Sequence, residues 1–382
     1  MKWPSPAKKT TLLAVIQLAQ RAIERQPSSA LAWQRLGEAQ LKVGACSEAI
    51  FSLSEAIRLQ PDNAEVPLQL ASAYVRTHNY GPALEMLEGY SRRHPDNQAA
   101  RIQWFESLVA ASRLDDAAGL ADEIAICDPL NPALFACRAR LAMKNDAWQE
   151  LLIMCDSKLG ISPSHTAARY YRSLAMARIG LQEAAASMDL ETFVWVGDLP
   201  QPPEFPDEEG FRQEILAEIL RNPTLLPDPP GFTCRNAYHT EYLEQPDSPA
   251  VRVLLSQVRK AVDDYVGRLE GGDPFVTLRP TEAFLSAWAV AYTASGRQLP
   301  HFHDKGWLSG TYYASVPKIP DGTHDGALLL GAINIDPPWG IRAIPALPGR
   351  LVLFPSWIPH ATAPTHVDEL RVCVAFDVVR AS

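Results

Sequence analysis

Through the first half of the chain, apolar residues recur every three or four positions, the spacing of amphipathic helices. Proline interrupts this pattern at a fixed step, with Pro27, Pro61, Pro95, Pro129 and Pro163 each 34 residues apart. Further on, two isolated helical patterns are predicted at Phe211–Arg221 and Ser248–Glu270, the second with Val251, Leu254, Leu255, Val258, Val262 and Val266 on one stripe. After Gly271 and Gly272 the text changes to short runs rich in β-branched and aromatic residues that end at turn residues. The strands expected there are Phe275–Leu278, Ala283–Tyr292, Leu299–His303, Ser309–Val316, Ala327–Ile335, Arg350–Pro355 and Leu370–Val379.

The constant step implies stacked supersecondary units. One helical pair cannot bury its apolar stripe alone, so neighbouring units must stack to complete a core. Small residues at Gly37, Ala49, Ala71 and Ala83 let helices approach closely, large ones fill the gaps, and each proline stops a unit where the next begins. The unit from Ala30, with Trp33, Leu36, Gly37, Ala49, Leu53, Ala56 and Pro61, resembles the tetratricopeptide repeat. A second unit carries Leu70, Ala71, Tyr74, Ala83, Leu87 and Pro95, and a third carries Trp104, Phe105, Leu108, Ala117, Ala121 and Pro129. A fourth, around Phe135–Cys155, keeps its helices but loses the consensus, and Thr166–Met188 is expected as a capping half-unit. The resemblance implies a groove that holds a protein or peptide, either substrate or adaptor. The alternative is an array that only supports the rest of the chain or joins two copies as a homodimer.

Eight prolines between Pro200 and Pro230, around the acidic run Asp207–Glu209, mark a connection. The expected organisation is a helical solenoid over 1–198, a proline-rich linker over 199–230, and a β-rich domain with a leading helix over 231–382. Seven or eight short strands without a long helix between them argue for a double-sheet jelly roll. The fold class is therefore α+β multidomain, an all-α solenoid followed by a jelly roll.

Composition narrows the function. With 35 basic against 44 acidic residues the formal net charge is −9, which argues against a broad phosphate-gripping surface for nucleic acid. No apolar run reaches the ~18 residues of a membrane span. The six cysteines show no C-x-x-C spacing, and the four of them in helical text read as inert buried thiols. At the N-terminus the apolar stretch Thr11–Ile16 is short and is followed by Gln17, Gln20, Arg21 and Arg25 at helical spacing, so an amphipathic helix and a cytoplasmic location are expected.

Candidate chemistry gathers in the second half. Five of the nine histidines, His301, His303, His324, His360 and His366, lie within 66 residues. His301 and His303 are two apart, so on a strand they share one face. Such a pair plus a distant histidine can hold one face of a metal ion and leave three positions open. Taken alone, the pair could equally be two polar side chains on a half-solvated strand. His324 and His366 fall in turn-like text and read as surface residues.

Three blocks, PHFHDKGWLSGTYYASVP, GRLVLFPSWIPHATAP and ELRVCVAFDVV, together resemble the core of a 2-oxoglutarate- and Fe(II)-dependent oxygenase over about Arg279–Arg380. The segment NPTLLPDPPGFTCRNAYHTEYL resembles that group's lead-in. The resemblance implies Fe(II), 2-oxoglutarate and O2, with His301, His303 and His360 as the metal-holding catalytic residues. His303 stands where most of the superfamily has the carboxylate of H-x-D, a departure that makes the site one charge more positive and leaves Asp304 as the alternative ligand. Arg371, 11 residues past His360, occupies the place of the arginine that binds the far carboxylate of the cosubstrate, for which a guanidinium offers a planar fork. Cys373 replaces the usual serine of R-x-S, and Tyr313, on one strand face with Ser309 and Thr311, can supply the missing donor. Trp307, Trp357 and Phe354 are expected to pack or to line the pocket. The implied reaction is hydroxylation of a C–H bond coupled to decarboxylation of 2-oxoglutarate to succinate. Pairings of such repeats with such oxygenases, as in aspartyl/asparaginyl and prolyl hydroxylases, imply a protein side chain as substrate. Two other readings stay open: an interaction scaffold with an inactive oxygenase-like domain, and a cupin-like metal enzyme without the cosubstrate.

Overall fold

The computed structural model describes residues 12–42, 45–127, 132–222, 224–227, 233–240, 243, 248–318 and 323–381. Pro129 and parts of the lead-in segment lie outside the described residues. The described residues divide into two compact units, one ending at Leu151 and the other beginning at Leu152.

In the first unit, antiparallel helices follow one another: α1 Leu12–Arg25, α2 Ala30–Lys42, α3 Cys46–Leu59, α4 Val66–Arg76, α5 Tyr80–Arg93, α6 Gln98–Ala110, α7 Leu114–Cys127 and α8 Pro132–Lys144, with α9 Trp148–Ile161 crossing the division. Leu53, Ala49 and Ala56 of α3 are fully buried against Leu70 and Ala73 of α4, and the same positions recur as Ala83 and Leu87, then Ala117 and Ala121. A Cβ on Gly37 would sit 2.6 Å from Leu53 Cγ, so glycine sets the closeness of α2 and α3. Where a cap is needed the sequence supplies one, as Asn97 accepts from the Ala100 amide at 3.0 Å at the start of α6. Each unit thus buries a small local cluster built almost wholly from neighbours in sequence.

The second unit holds one large core. It begins with α10 Thr166–Arg178 and continues through β1 Trp195–Asp198, α11 Glu208–Leu220, β2 Leu226–Pro227, β3 Cys234–His239, α12 Pro249–Arg268 and α13 Pro274–Thr277. The remaining strands are β4 Ala283–His301, β5 Leu308–Ser315, β6 Leu328–Leu330, β7 Arg342–Ile344, β8 Arg350–Pro355, β9 His360–Thr362 and β10 Arg371–Arg380. All pairings are antiparallel, in the order β1-β8-β5-β10-β4-β9-β6-β7, with β3 also on β4 and β2 on β3. The strands form one ten-stranded, jelly-roll-like sheet in which the long β4 takes two sets of partners. Its first half pairs with β10, and its end pairs with β9.

Several elements differ from expectation for identifiable reasons. Phe275–Leu278, expected as a strand, lies largely in α13, because Asp273 caps the Phe275 amide at 2.7 Å and Pro274 starts the helical turn. The two strands expected at Ala283–Tyr292 and Leu299–His303 are one bent strand, carried through by Ser295 at φ 63° and a change of partners. Ala327–Ile335 shortens to β6, since Gly331 at φ 86° ends the strand. Short β1, β7 and β9 carry too few residues to show an alternation. The helix Thr166–Arg178, expected to cap the repeats, folds with the β-rich unit. Within the proline-rich stretch, Phe211, Ile215 and Ile219 of α11 enter the same core. Helix α12 buries the stripe Val251, Leu254, Leu255, Val258 and Val262. No helix among the described residues is long and apolar enough to cross a membrane.

Candidate active site

The end of β4 and the start of β9 lie side by side, so that His301 and His360 are direct cross-strand partners although 59 positions separate their numbers. His303 follows two residues after His301, where β4 has ended. One nitrogen from each of the three rings lies within 4.8 Å of the others, and no other such group of three occurs among the described residues. Ring centroids are 4.3 Å apart for His301 and His360, 5.1 Å for His301 and His303, and 5.0 Å for His303 and His360.

Hydrogen bonds decide which nitrogen each ring offers. His301 Nδ1 lies 2.8 Å from the Leu299 carbonyl and His360 Nδ1 lies 3.2 Å from the Ile358 carbonyl. A carbonyl only accepts, so each Nδ1 carries the proton and donates. His303 Nδ1 lies 2.6 Å from Asp377 Oδ1, and the carboxylate imposes the same tautomer. With Nδ1 engaged in each ring, Nε2 is the nitrogen left to face a metal. Burial, with His303 nearby, pushes the His301 imidazole down to about 4, and burial beside His301 and His303 holds His360 well below its usual range. Neutral imidazoles with exposed lone pairs suit Fe, Zn, Cu or Ni. The donor set fits a metal ion.

Arg371 opens β10 opposite Tyr292 and is 1% exposed, an unusual place for a guanidinium. Its Nη1 donates to the Gly326 carbonyl, and its Cζ lies 4.1 Å above the Tyr292 ring. Nε and Nη2 have no hydrogen-bond partner. Leaving buried donors unsatisfied is costly, so this fork requires an acceptor, and a carboxylate is the acceptor it matches. Arg371 lines the same cavity as His303, His360, Ser309, Thr311, Tyr313, Phe354 and Cys373. Gly326, at φ 66°, lets the chain pass: a Cβ there would meet Arg371 Nη1 at 2.9 Å.

The other expected site residues take these places. Tyr313 is buried beside Arg371, and burial raises its phenol well above the ordinary range. Cys373 pairs with Tyr313 in the ladder, and burial pushes its thiol up. Ser309 donates to Asp377 Oδ1 at 2.7 Å, lies 3.2 Å from His303 Nδ1 and accepts from Ser356 Oγ at 2.8 Å. Asp304, the alternative ligand, is exposed and outside the three-histidine group. His324 is exposed, and His366 binds Asp325 at 2.9 Å on the surface. Phe354 lies edge-on to His360 at 4.8 Å, whereas Trp307 stacks on Phe275 in the core.

Two contributions went unseen in the sequence. One is Asp377, which reads as ordinary strand text, with Ser356, whose F-P-S motif was visible but not its role. The other is α10, which braces the turn carrying His301 and His303. The Tyr170 ring stacks on Phe302 at 4.0 Å, Tyr171 meets it edge-on at 5.6 Å, and Thr166 Oγ1 donates to the Gly306 carbonyl at 2.9 Å. Arg169 of the same helix grips Asp273 with two bonds of 2.7 and 2.9 Å and lies 3.9 Å above the Trp357 ring. The alternation in H-F-H, with an aromatic residue between the histidines, was the available signal for this brace.

Comparison with known proteins gives two family matches. Residues 286–377 match the family described as "Putative 2OG-Fe(II) oxygenase", and residues 41–103 match the tetratricopeptide repeat. A PEX5-related protein of Mus musculus is 32% identical over 88 residues, which is 23% of this chain and 16% of that protein. The match thus spans a minor part of the relative's length. A tetratricopeptide repeat protein structure from Parabacteroides merdae aligns with 46% of this chain and 70% of its own at 17% identity and a TM-score of 0.42. The structure of a Pseudomonas putida prolyl-4-hydroxylase aligns with 53% of this chain and 100% of its own at 18% identity and a TM-score of 0.36.

Proposed function

We propose that this chain, which combines a tetratricopeptide-repeat region with a 2OG-Fe(II) oxygenase domain, is a 2-oxoglutarate- and Fe(II)-dependent dioxygenase that hydroxylates a protein or peptide side chain. The observation that carries the reading is the buried Arg371 fork, two of its donors unpartnered, lining one cavity with His303 and His360. A cupin-like metal enzyme without the cosubstrate would have no use for such a cation.

In this reading His301, His303 and His360 hold Fe(II) through Nε2. When bound, the metal supplies the activation of O2 and the oxidation of the substrate, with 2-oxoglutarate as co-reductant. The protein's own part is positional. Arg371 fixes the far carboxylate of 2-oxoglutarate, and Tyr313 and Thr311 line the space between. Trp288 and Phe354 add apolar lining to the cavity. The Tyr292 ring lies 4.1 Å from the guanidinium carbon and supports it from one face. Helix α10 holds the His301–Gly306 turn in register with β9.

The repeats supply the second half of the reading. Arrays of this family present a groove suited to an extended peptide, which makes a docked protein segment the leading substrate class. The test is production of succinate from 2-oxoglutarate with Fe(II), scored together with a +16 Da mass shift on proteins captured by the full chain. Succinate with a mass shift on a captured protein is expected. Absence of both, with Fe(II) bound, would leave the chain an interaction scaffold.

A further inference from the structure

Position 303 carries a histidine, so the three-histidine face brings no carboxylate to a divalent metal. A carboxylate nevertheless lies directly behind it. Asp377 is in the middle of β10, flanked in the ladder by Ser309 on β5 and Ser286 on β4. Its neighbours Phe376 and Val378 are fully buried in the core on the opposite face. An aspartate inside a central strand is rare unless a partner holds it. Here the partners are His303 Nδ1 at 2.6 Å and Ser309 Oγ at 2.7 Å, and Ser356 Oγ donates in turn to Ser309 at 2.8 Å. Its side chain is 15% exposed and that of His303 16% exposed, so water screens the pair only weakly. The surrounding backbone is shaped around this cluster. A Cβ at Gly306 would lie 2.3 Å from Ser356 Oγ and 3.4 Å from Asp377 Cγ.

We propose that Asp377 is a positioning residue of the metal centre. Its carboxylate, held by Ser309, which Ser356 holds in turn, orients the His303 ring and supplies from one imidazole further out the negative charge that the ligand at 303 lacks. The inference rests on the reading above that the histidines hold a metal. Carboxylates behind ligating histidines raise ligand basicity and fix the tautomer, and their loss typically costs 10–100-fold in metal affinity. The His303–Asp377 dyad then does jointly what a single aspartate ligand would do alone.

The proposal makes a specific coupling claim, which anaerobic Co(II) titration of the full chain can read by calorimetry and by the visible ligand-field spectrum. Asp377→Asn keeps the size of the side chain and removes the charge. It is expected to weaken Co(II) binding roughly 10–100-fold and to shift the Co(II) spectrum. In a His303→Asp background the carboxylate is itself a ligand, so adding Asp377→Asn is expected to cost less than about threefold, the two sites being coupled. An equal loss in both backgrounds would make Asp377 merely structural, and no loss in the His303 background would remove its role; either overturns the proposal. Should either substituted chain fail to fold, Ser309→Ala, which withdraws the hydroxyl clamp, is expected to shift the spectrum in the direction of Asp377→Asn where that variant folds, and an unchanged spectrum in Ser309→Ala overturns the proposal. Failure of the unsubstituted chain to bind Co(II) would instead sink the metal reading itself, and this inference with it.

Discussion

The two units bury their residues by different rules. In the repeats, each core cluster joins residues close in sequence, as Leu53 and Ala49 meet Leu70 and Ala73, and the ion pairs between helices are largely exposed, like Arg140 with Glu106. In the second unit, the residues that matter chemically meet across long stretches of chain: His301 with His360, His303 with Asp377, Gly326 with Arg371. There the charges are inside. Local packing makes the repeats modular and tolerant of polar change. The non-local site depends on a few exact juxtapositions, each with a partner that cannot be replaced from nearby.

The largest effect that would sharpen this contrast is loss of a ligand. His303→Ala is expected to abolish Fe(II) binding in equilibrium dialysis while leaving the thermal transition of the repeats in place. Asp304→Ala, one position along and exposed, should bind as the unsubstituted chain does. The opposite result would move the ligand assignment to Asp304. Gly37→Val tests the other unit. Forcing a side chain against Leu53 should cost ~1–3 kcal/mol by overpacking, seen in thermal unfolding, with Co(II) affinity unchanged. If Co(II) affinity fell as well, the contrast between a modular array and an independent site would fail.

Tyr170→Ala probes the element that belongs to neither description cleanly. Loss of the stack on Phe302 should remove about 0.5–1.5 kcal/mol of ring interaction and weaken metal binding by a few-fold, since the turn carrying His301 and His303 loosens. Unchanged affinity would show that the turn holds itself.

A separate effect concerns acid. His239 is buried against Trp288, and burial lowers its imidazole to about 4. As pH falls, the unfolded chain takes the proton first, near its ordinary value of ~6.5. The stability that neutral His239 contributes is thus complete above that pH and is lost as pH drops toward 4. His239→Gln should flatten the slope of thermal stability over that interval. A slope unchanged by the substitution would place the acid sensitivity elsewhere.

What could be read from the sequence follows the same division. The 34-residue proline step announced the repeats because their contacts are local and periodic. His301, His303, His360 and Arg371 were visible as residue types at motif spacing; the structure groups the three histidines and sets Arg371 on the cavity that His303 and His360 line. Asp377 was not legible, nor was the role of Ser356 within its F-P-S motif. Nothing in V-A-F-D-V-V marks an aspartate that will face a histidine from another strand, and only the β5–β10–β4 register brings them together. Helix α10 was misplaced for a related reason. Its text is helical and follows the repeats, but Tyr170, Tyr171 and Thr166 find their partners at Phe302 and Gly306, well over 100 residues on. The strand expected at Phe275–Leu278 shows the reverse case, in which local capping by Asp273 and Pro274 outweighs β-rich composition.

The central claim is that the three imidazoles and the buried guanidinium form one site. Anaerobic binding of 2-oxoglutarate to the Fe(II)-loaded chain tests it most directly. The account predicts one molecule per chain, dependent on Fe(II), and a loss of ~2–5 kcal/mol in Arg371→Ala, the range for removing one partner of a buried charge pair, with Fe(II) still bound. Binding that persists undiminished in Arg371→Ala, or that is indifferent to the metal, would contradict it.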